Sequence, residues 1–289
     1  MDKVQCLLDD VVIAGATLAE HNLKLEEVLK VLQENGLKVK VNKCSFGLRE
    51  IEYLGHKVDA SGLHPSDGHV RAIKEAPPPE NQALLRSFLG FVTFFLKFIP
   101  KSGDILKPLY DLLKKDAKWY WSKACQVSFL QIKKILSSKP ILTHYDPALP
   151  LQLWVDASPI AISAVLSHVF PNRTEKPLAY FSKVLTKAES AYSQIEREAT
   201  AIIYGVNHFK DFLYARNFTL ITDSKPLVYI FGNKKGIPVY AANRLQRWAY
   251  QLSTYNFTVK FTRSETNIAD FLSRVSIPGK HPTDLFSNV

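Results

Sequence analysis

The chain is short of cysteine, with three in 289 residues, and short of acid, with 27 Asp and Glu against 37 Lys and Arg. Cys6, Cys44 and Cys125 lie far apart and without metal-ligand spacing. That argues against a thiolate metal site and a disulfide framework, and predicts reduced, structural thiols in an intracellular compartment. No apolar run reaches the length that spans a membrane, so no membrane partner is expected, and no signal-peptide pattern follows Met1. There is no long repeat and no low-complexity block. The deficit of acid leaves a net charge of +10 and a pI near 9.3. Such a balance favours an anionic partner, nucleic acid first. An aromatic content of 11% is too high for a disordered basic tail. The length suffices for two or three small domains, each with its own core.

What is present centres on Leu151-Gln-Leu-Trp-Val-Asp-Ala-Ser158. Leu151, Leu153 and Val155 alternate with Gln152 and Trp154, the period of a strand. Asp156 ends it. A carboxylate there either caps a turn or pairs with something, and a divalent cation is one such partner. Three later acids bear on the choice. Glu198 lies in a helical pattern, Ser193 to Ile203. Asp223 ends a second apolar strand, Phe218 to Ser224. Asp270 sits just inside a short helix, Thr266 to Arg274, after the strand Phe257 to Thr262. Two strand ends and two helices, each offering one carboxylate, can hold two Mg²⁺ for in-line phosphoryl chemistry.

The order strand-Asp, helix-Glu, strand-Asp, helix-Asp resembles ribonuclease H. The phrases Trp-Val-Asp-Ala-Ser, Thr-Asp-Ser-Lys-Pro-Leu, Arg-Leu-Gln-Arg-Trp and Ala-Asp-Phe-Leu-Ser-Arg are similar to the RNase H domain of gypsy-type (Ty3-like) retrotransposon Pol polyproteins. The likeness extends from about Val4 to Ser276. It implies an α/β (α+β) fold: an RNase H-like mixed five-stranded sheet with flanking helices, preceded by a partial reverse-transcriptase palm and a helical thumb. It also implies hydrolysis of the RNA strand of an RNA–DNA hybrid. Asp156 would bridge two Mg²⁺, with Mn²⁺ as a substitute. Glu198 and Asp223 would complete one site and Asp270 the other. Glu196, two residues from Glu198 and on another helix face, is expected to be a solvated neighbour. The family often carries a Gly where Ala161 or Ser163 stands. The loop Thr262 to Ala269 lacks the histidine that cellular and retroviral relatives often place before the last Asp, which bears on proton handling or product release.

Upstream, Gln5 to Ala14 reads as an apolar hairpin with Asp9 and Asp10 at its tip. It resembles the Tyr-x-Asp-Asp hairpin of reverse transcriptases, with Leu7 in the Tyr position, so that both acids would be metal ligands of a polymerase remnant. His21 to Asn35 is an amphipathic helix closed by Gly36, and Leu37 to Val41 alternates as a strand. Ile51 to Val58 is similar to the hairpin that grips a primer end, with Gly55 and His56 at its heart. A third palm aspartate and the fingers are not in the sequence, so polymerisation by this chain alone is not expected. After the stiff Pro77-Pro-Pro79, Asn81 can cap a helix over Leu84 to Ile99, which resembles the thumb helix that follows the duplex minor groove. Its Gly90 points to close approach, either by nucleic acid or by another helix. Lys97, Lys101, Lys107, Lys114, Lys115 and Lys118 together suggest phosphate contacts. Ser122 to Leu136 reads as a helix with Phe129, Ile132 and Leu136 inward.

Within the RNase H part, one helix is expected over Lys187 to Phe212. Arg244 and Arg247 can share a helix face, as salt-bridged surface or as phosphate ligands, with Trp248 in the core. The expected division is palm remnant 1–76, thumb and connection 77–145, RNase H 146–275 and tail 276–289. The expected partner is an RNA–DNA hybrid or other duplex. A second possibility is a non-catalytic nucleic-acid-binding remnant of a transposable element. Oligomeric state is not legible.

Overall fold

The computed structural model describes residues 3–232 and 243–263. The basic loop 233–238, Asp270 with its expected helix, and the tail 276–289 lie outside the described residues. The chain divides into two compact units, Met1–Ile51 and Glu52–Val289.

In the first unit, β1 (Val4–Leu7) and β2 (Asp10–Ile13) pair antiparallel, with Leu7 opposite Asp10. Leu8 takes φ 53°, the positive value that suits the first central position of a two-residue hairpin. Helix α1 (Leu18–Glu34) begins at Thr17, whose side chain accepts from the Glu20 amide, and Gly36 follows its end at φ 71°. Of α1, Val28 is buried, whereas Leu18 and Leu23 are exposed. Leu37 to Val41 differs from expectation. It pairs with no described strand, and Leu37, Val39 and Val41 are exposed. Alternation without a partner's backbone does not make a ladder.

A three-stranded sheet follows, with β3 (Glu50–Tyr53) at the boundary of the two units and then β4 (His56–Asp59) and β5 (Gly62–Pro65). Helix α2 (Asp67–Glu75) precedes the prolines. Helix α3 (Gln82–Thr93) starts at Asn81, whose Oδ1 accepts from the Leu84 amide at 2.9 Å. It stops at Thr93 rather than Ile99, and a 3-10 turn at Leu96–Phe98 continues the chain. Helices α4 (Ser102–Asp111) and α5 (Lys123–Ser137) follow. Phe129, Ile132 and Leu136 of α5 are buried.

A five-stranded sheet comes next. It contains β6 (Leu151–Ala157), β7 (Ala161–Val169), β8 (Glu175–Val184), β9 (Asn217–Thr222) and β10 (Asn256–Phe261), in the order β10-β9-β6-β7-β8. β6, β7 and β8 form an antiparallel meander, while β9 runs parallel to both β6 and β10. The expected long helix is three pieces: α6 (Lys187–Ser190), α7 (Gln194–His208) and α8 (Lys210–Leu213). Capping boxes Thr186/Glu189 and Ser193/Glu196 start the first two, and the chain must leave the helix between them. Helices α9 (Lys225–Gly232) and α10 (Asn243–Leu252) complete the described elements.

The sheet is covered on both faces. Leu153, Val155, Ala164, Leu166 and Leu220 pack with Ile202, Val206, Leu227 and Leu245 of the following helices. Trp154, Val165, Tyr180 and Ile221 instead join Leu89, Val92, Phe95, Leu106, Leu109 and Ile132 of α3 to α5. Trp154, expected on the alternating second face, is buried in that second core. No described helix is long and apolar enough to cross a membrane.

Candidate metal centre and nucleic-acid surface

Asp156 is carried near the end of β6, Asp223 directly after β9, and Glu198 on α7, which packs on the face of the sheet against β6 and β7. β6 and β9 are parallel neighbours, so both strands deliver their acids to the same end of the sheet. One carboxylate oxygen from each of the three residues lies within 4.8 Å of the others. Glu198 is 4% exposed. Its Oε1 accepts from Gln194 Nε2 at 2.5 Å, while Oε2 is buried without a hydrogen-bond partner. Burial, then the charges of Asp223 and Asp156, push its carboxyl up to about 8.

An all-carboxylate set suits a hard divalent cation, and the unpartnered Glu198 oxygen is a buried acceptor that such an ion would satisfy. The residues therefore fit a metal. Asp270 lies outside the described residues. Asp9 and Asp10 are exposed at the β1–β2 turn of the first unit.

Glu196 faces elsewhere. It closes the Ser193 capping box, with Ser193 Oγ donating at 2.9 Å, and its Oε1 lies 2.5 Å from Arg244. Arg244 also stacks over Tyr192 at 4.0 Å. Arg244 is thus engaged within the protein, whereas Arg247 on the same helix is exposed, and Trp248 packs partly buried against the core.

Leu54 and Gly55 take φ 49° and 73° and turn β3 into β4. Leu54, Gly55, His69, Phe91, Phe94 and Phe95 line an open cavity of about 300 Å³. His56 is not surface, as a lone histidine usually is; it is 6% exposed, with its ring 4.7 Å from that of Phe94 and stacked 5.8 Å from that of Phe98. Its Nδ1 lies 2.9 Å from the Leu54 carbonyl. Burial and then the charge of Lys97 lower its pKa, which favours the neutral ring.

Gly90 is exposed, and a Cβ built there would meet nothing within 4 Å. No described residue packs against the open side of the glycine. Arg86, Ser87, Thr93 and Phe94 are exposed on the same helix or at its end.

The six lysines expected as a phosphate-binding set are divided by the fold. Lys107 and Lys114 both pair with Asp111 at 2.7 Å, and Lys101 pairs with Asp156 at 3.0 Å. Lys115 and Lys118 are exposed, and Lys97 is partly buried. The Lys101–Asp156 pair and the Gln194–Glu198 hydrogen bond are site features that the sequence reading missed. The second has a local signal, an (i, i+4) spacing on one helix. The first has none, because it joins residues from separate layers.

Residues 121–220 match a family described as "RNase H-like domain found in reverse transcriptase". Residues 2–58 match "Reverse transcriptase (RNA-dependent DNA polymerase)". The chain is 34% identical over 284 residues to the retrovirus-related Pol polyprotein from transposon 412 of Drosophila melanogaster, covering 98% of this chain and 22% of that protein. It is 32% identical over 275 residues to the transposon Tf2-3 polyprotein of Schizosaccharomyces pombe, covering 94% of this chain and 20% of that one. The chain therefore spans about a fifth of the length of these relatives. Its fold is similar to that of the foamy viral protease-reverse transcriptase in complex with RNA/DNA hybrid, with a TM-score of 0.75 and 22% identity over 91% of this chain and 36% of that chain. The same enzyme in complex with dsDNA matches with a TM-score of 0.74 and 23% identity, over 90% and 55% of the two chains.

Proposed function

The chain belongs to the reverse transcriptase and RNase H segment of gypsy-type retrotransposon Pol polyproteins, and from that premise we propose that its carboxylate centre hydrolyses the RNA strand of an RNA–DNA hybrid. The observation that carries this reading is the convergence of Asp156, Glu198 and Asp223, distant in sequence, with a buried oxygen of Glu198 left for a ligand. In this reading Asp156, Glu198 and Asp223 hold Mg²⁺, with Mn²⁺ as a substitute, and Asp270 is the fourth ligand. Two such ions would supply an activated water and a stabilised leaving 3′ oxygen. Gln194 would hold Glu198 in place by donating to Oε1, which leaves Oε2 without a hydrogen-bond partner. The buried flank of Glu198 limits water there, which strengthens its interaction with any cation. Hybrid would lie along the exposed face of α3 around Gly90, where no Cβ blocks a sugar-phosphate backbone, with Arg247, Lys115 and Lys118 as phosphate contacts. Asp9, Asp10 and the Gly55 turn lie in the part that matches the reverse transcriptase family, and in this reading they take no part in cutting.

The test uses the purified chain, Mg²⁺ and a hybrid labelled on its RNA strand. Cleavage to products with 5′ phosphates is expected, lost in Asp156→Asn and in EDTA, and unchanged in Asp10→Asn. A folded chain that cuts no hybrid with Mg²⁺ or Mn²⁺ would instead indicate a nucleic-acid-binding module.

A further inference from the structure

Lys101 belongs to none of the elements that carry the three acids. It stands at the N-cap of α4 with φ 49° and ψ 35°, a left-handed conformation that costs a side-chain-bearing residue energy. It makes no capping hydrogen bond there, so helix capping does not account for a lysine. Its Nζ lies 3.0 Å from Asp156 Oδ2. The turn that carries it is fixed to the rim of the carboxylate centre. The Gly103 amide donates to Ser182 Oγ at 3.0 Å, and Ser158 Oγ donates to Asp104 Oδ1 at 2.6 Å. A Cβ at Gly103 would sit 2.7 Å from Ser182 Oγ and 3.0 Å from Ala161 Cβ, so the first turn of α4 comes this close because that residue is glycine. Three strands are engaged: the residue following β6, the first residue of β7 and the end of β8.

We infer that Lys101 is the resident counter-cation of the centre: it holds one oxygen of Asp156 while no divalent ion is bound and yields it when an ion binds. The inference rests on the metal-dependent reading above. Acids whose oxygens lie within 4.8 Å resist being charged together, and an ammonium on Asp156 offsets part of that. A divalent ion using Asp156 would bring two positive charges within a few ångströms of the same ammonium, and the two cations then exclude each other. The Lys101 side chain is 36% exposed, so it has a path out of the centre and towards a duplex phosphate. A phosphate that takes up the released ammonium removes the competitor, and by linkage duplex and metal then favour each other's binding. Lys101 is in this sense a positioning residue for cations, delivered by the helical layer on the face of the sheet opposite Glu198.

The test is calorimetric titration of the full chain with Mg²⁺ alone, without substrate. Lys101→Asn removes the charge and keeps a residue that tolerates the left-handed backbone. It should bind Mg²⁺ about threefold to fivefold tighter than the unmodified chain, the size expected for a partly exposed ion pair. Lys101→Arg should bind as the unmodified chain does. A purely structural lysine would give the opposite sign, since loosening the site weakens binding. Unchanged or weaker binding in Lys101→Asn, or tightening in Lys101→Arg as well, would overturn the inference while leaving the metal reading intact. No Mg²⁺ binding by the folded, unmodified chain would overturn the metal reading itself, and Asp156→Asn, which should not bind, marks that baseline.

Discussion

Replacing Glu198 by Gln should make the metal-free protein more stable at neutral pH, although it removes a residue of the centre. The folded state holds the Glu198 proton up to about pH 8, while the unfolded chain releases it near 4.5. Between those values the folded state binds the extra proton, so stability falls as pH rises, and the full penalty is reached above 8. From 4.5 to pH 7 is 2.5 pH units at 1.36 kcal/mol each, or ~3 kcal/mol lost by the unmodified chain. Glutamine has the same shape and no proton to lose, and its amide can still meet Gln194. At 4% exposure the group is not screened by solvent. For a chain of this size ~3 kcal/mol corresponds to about 6–12 °C in Tm. Thermal or urea denaturation in EDTA at pH 5, 7 and 8 measures it. The two proteins should nearly coincide at pH 5 and separate steadily above, and Mg²⁺ at pH 7 should narrow the gap by stabilising the unmodified chain more. Parallel pH profiles in EDTA would refute the reasoning, because they would mean that Glu198 is not held protonated by its burial and its two acidic neighbours.

Glu196→Gln should cost about 1 kcal/mol through the Ser193 cap and the Arg244 pair yet retain hybrid cleavage, whereas Glu198→Gln should lose it; the reverse result in the cleavage assay would exchange the two residues' roles. Gly90→Ala should stabilise by up to ~1 kcal/mol in urea denaturation while weakening duplex binding, since its Cβ meets only solvent. Gly103→Ala should destabilise by about 1–3 kcal/mol, because its Cβ would overlap Ser182; equal effects at the two glycines would contradict the docking of α4 on the sheet.

The strands that end in Asp156 and Asp223 were legible because alternation and an acid at the end are local signals. The pattern could not say what covers the second face. Trp154 reads as the alternate side of β6, and only the packed fold shows that side to be buried among α3 to α5. Leu37 to Val41 alternates equally well and forms no strand, since pairing depends on a partner that periodicity does not reveal. The break between α6 and α7 was legible and missed: Thr186-Lys-Ala-Glu189 and Ser193-Gln-Ile-Glu196 are both capping-box patterns, and each announces a new start. The separation of Glu198 from Glu196 was legible from helix geometry alone, since two residues apart cannot share a face. His56 was legible only as part of a phrase. Its burial follows from Phe94, Phe95 and Phe98, which close over it from a stretch some forty residues on.

The same two-sided burial bears on how the centre is built. Trp154, Val165, Tyr180 and Ile221 share one core with the helices before the sheet, and each buried side chain of that kind is worth about 1.5–3 kcal/mol. The helical layer is therefore as necessary to β6, β7 and β9 as α7 is on the other face. It also reaches the chemistry, because its α4 turn presents Lys101 to Asp156. Read from sequence, removing the charge of Asp156 should relieve repulsion among acids and stabilise the metal-free fold. In the fold, the same change also strands an ammonium held at 3.0 Å, so the two effects oppose each other and the net gain is small. Glu198 has no such counter-charge at hydrogen-bond distance; its partner is the neutral Gln194 amide. Burial and its acidic neighbours therefore keep Glu198 protonated in the metal-free protein at neutral pH, and a bound cation would favour its charged form.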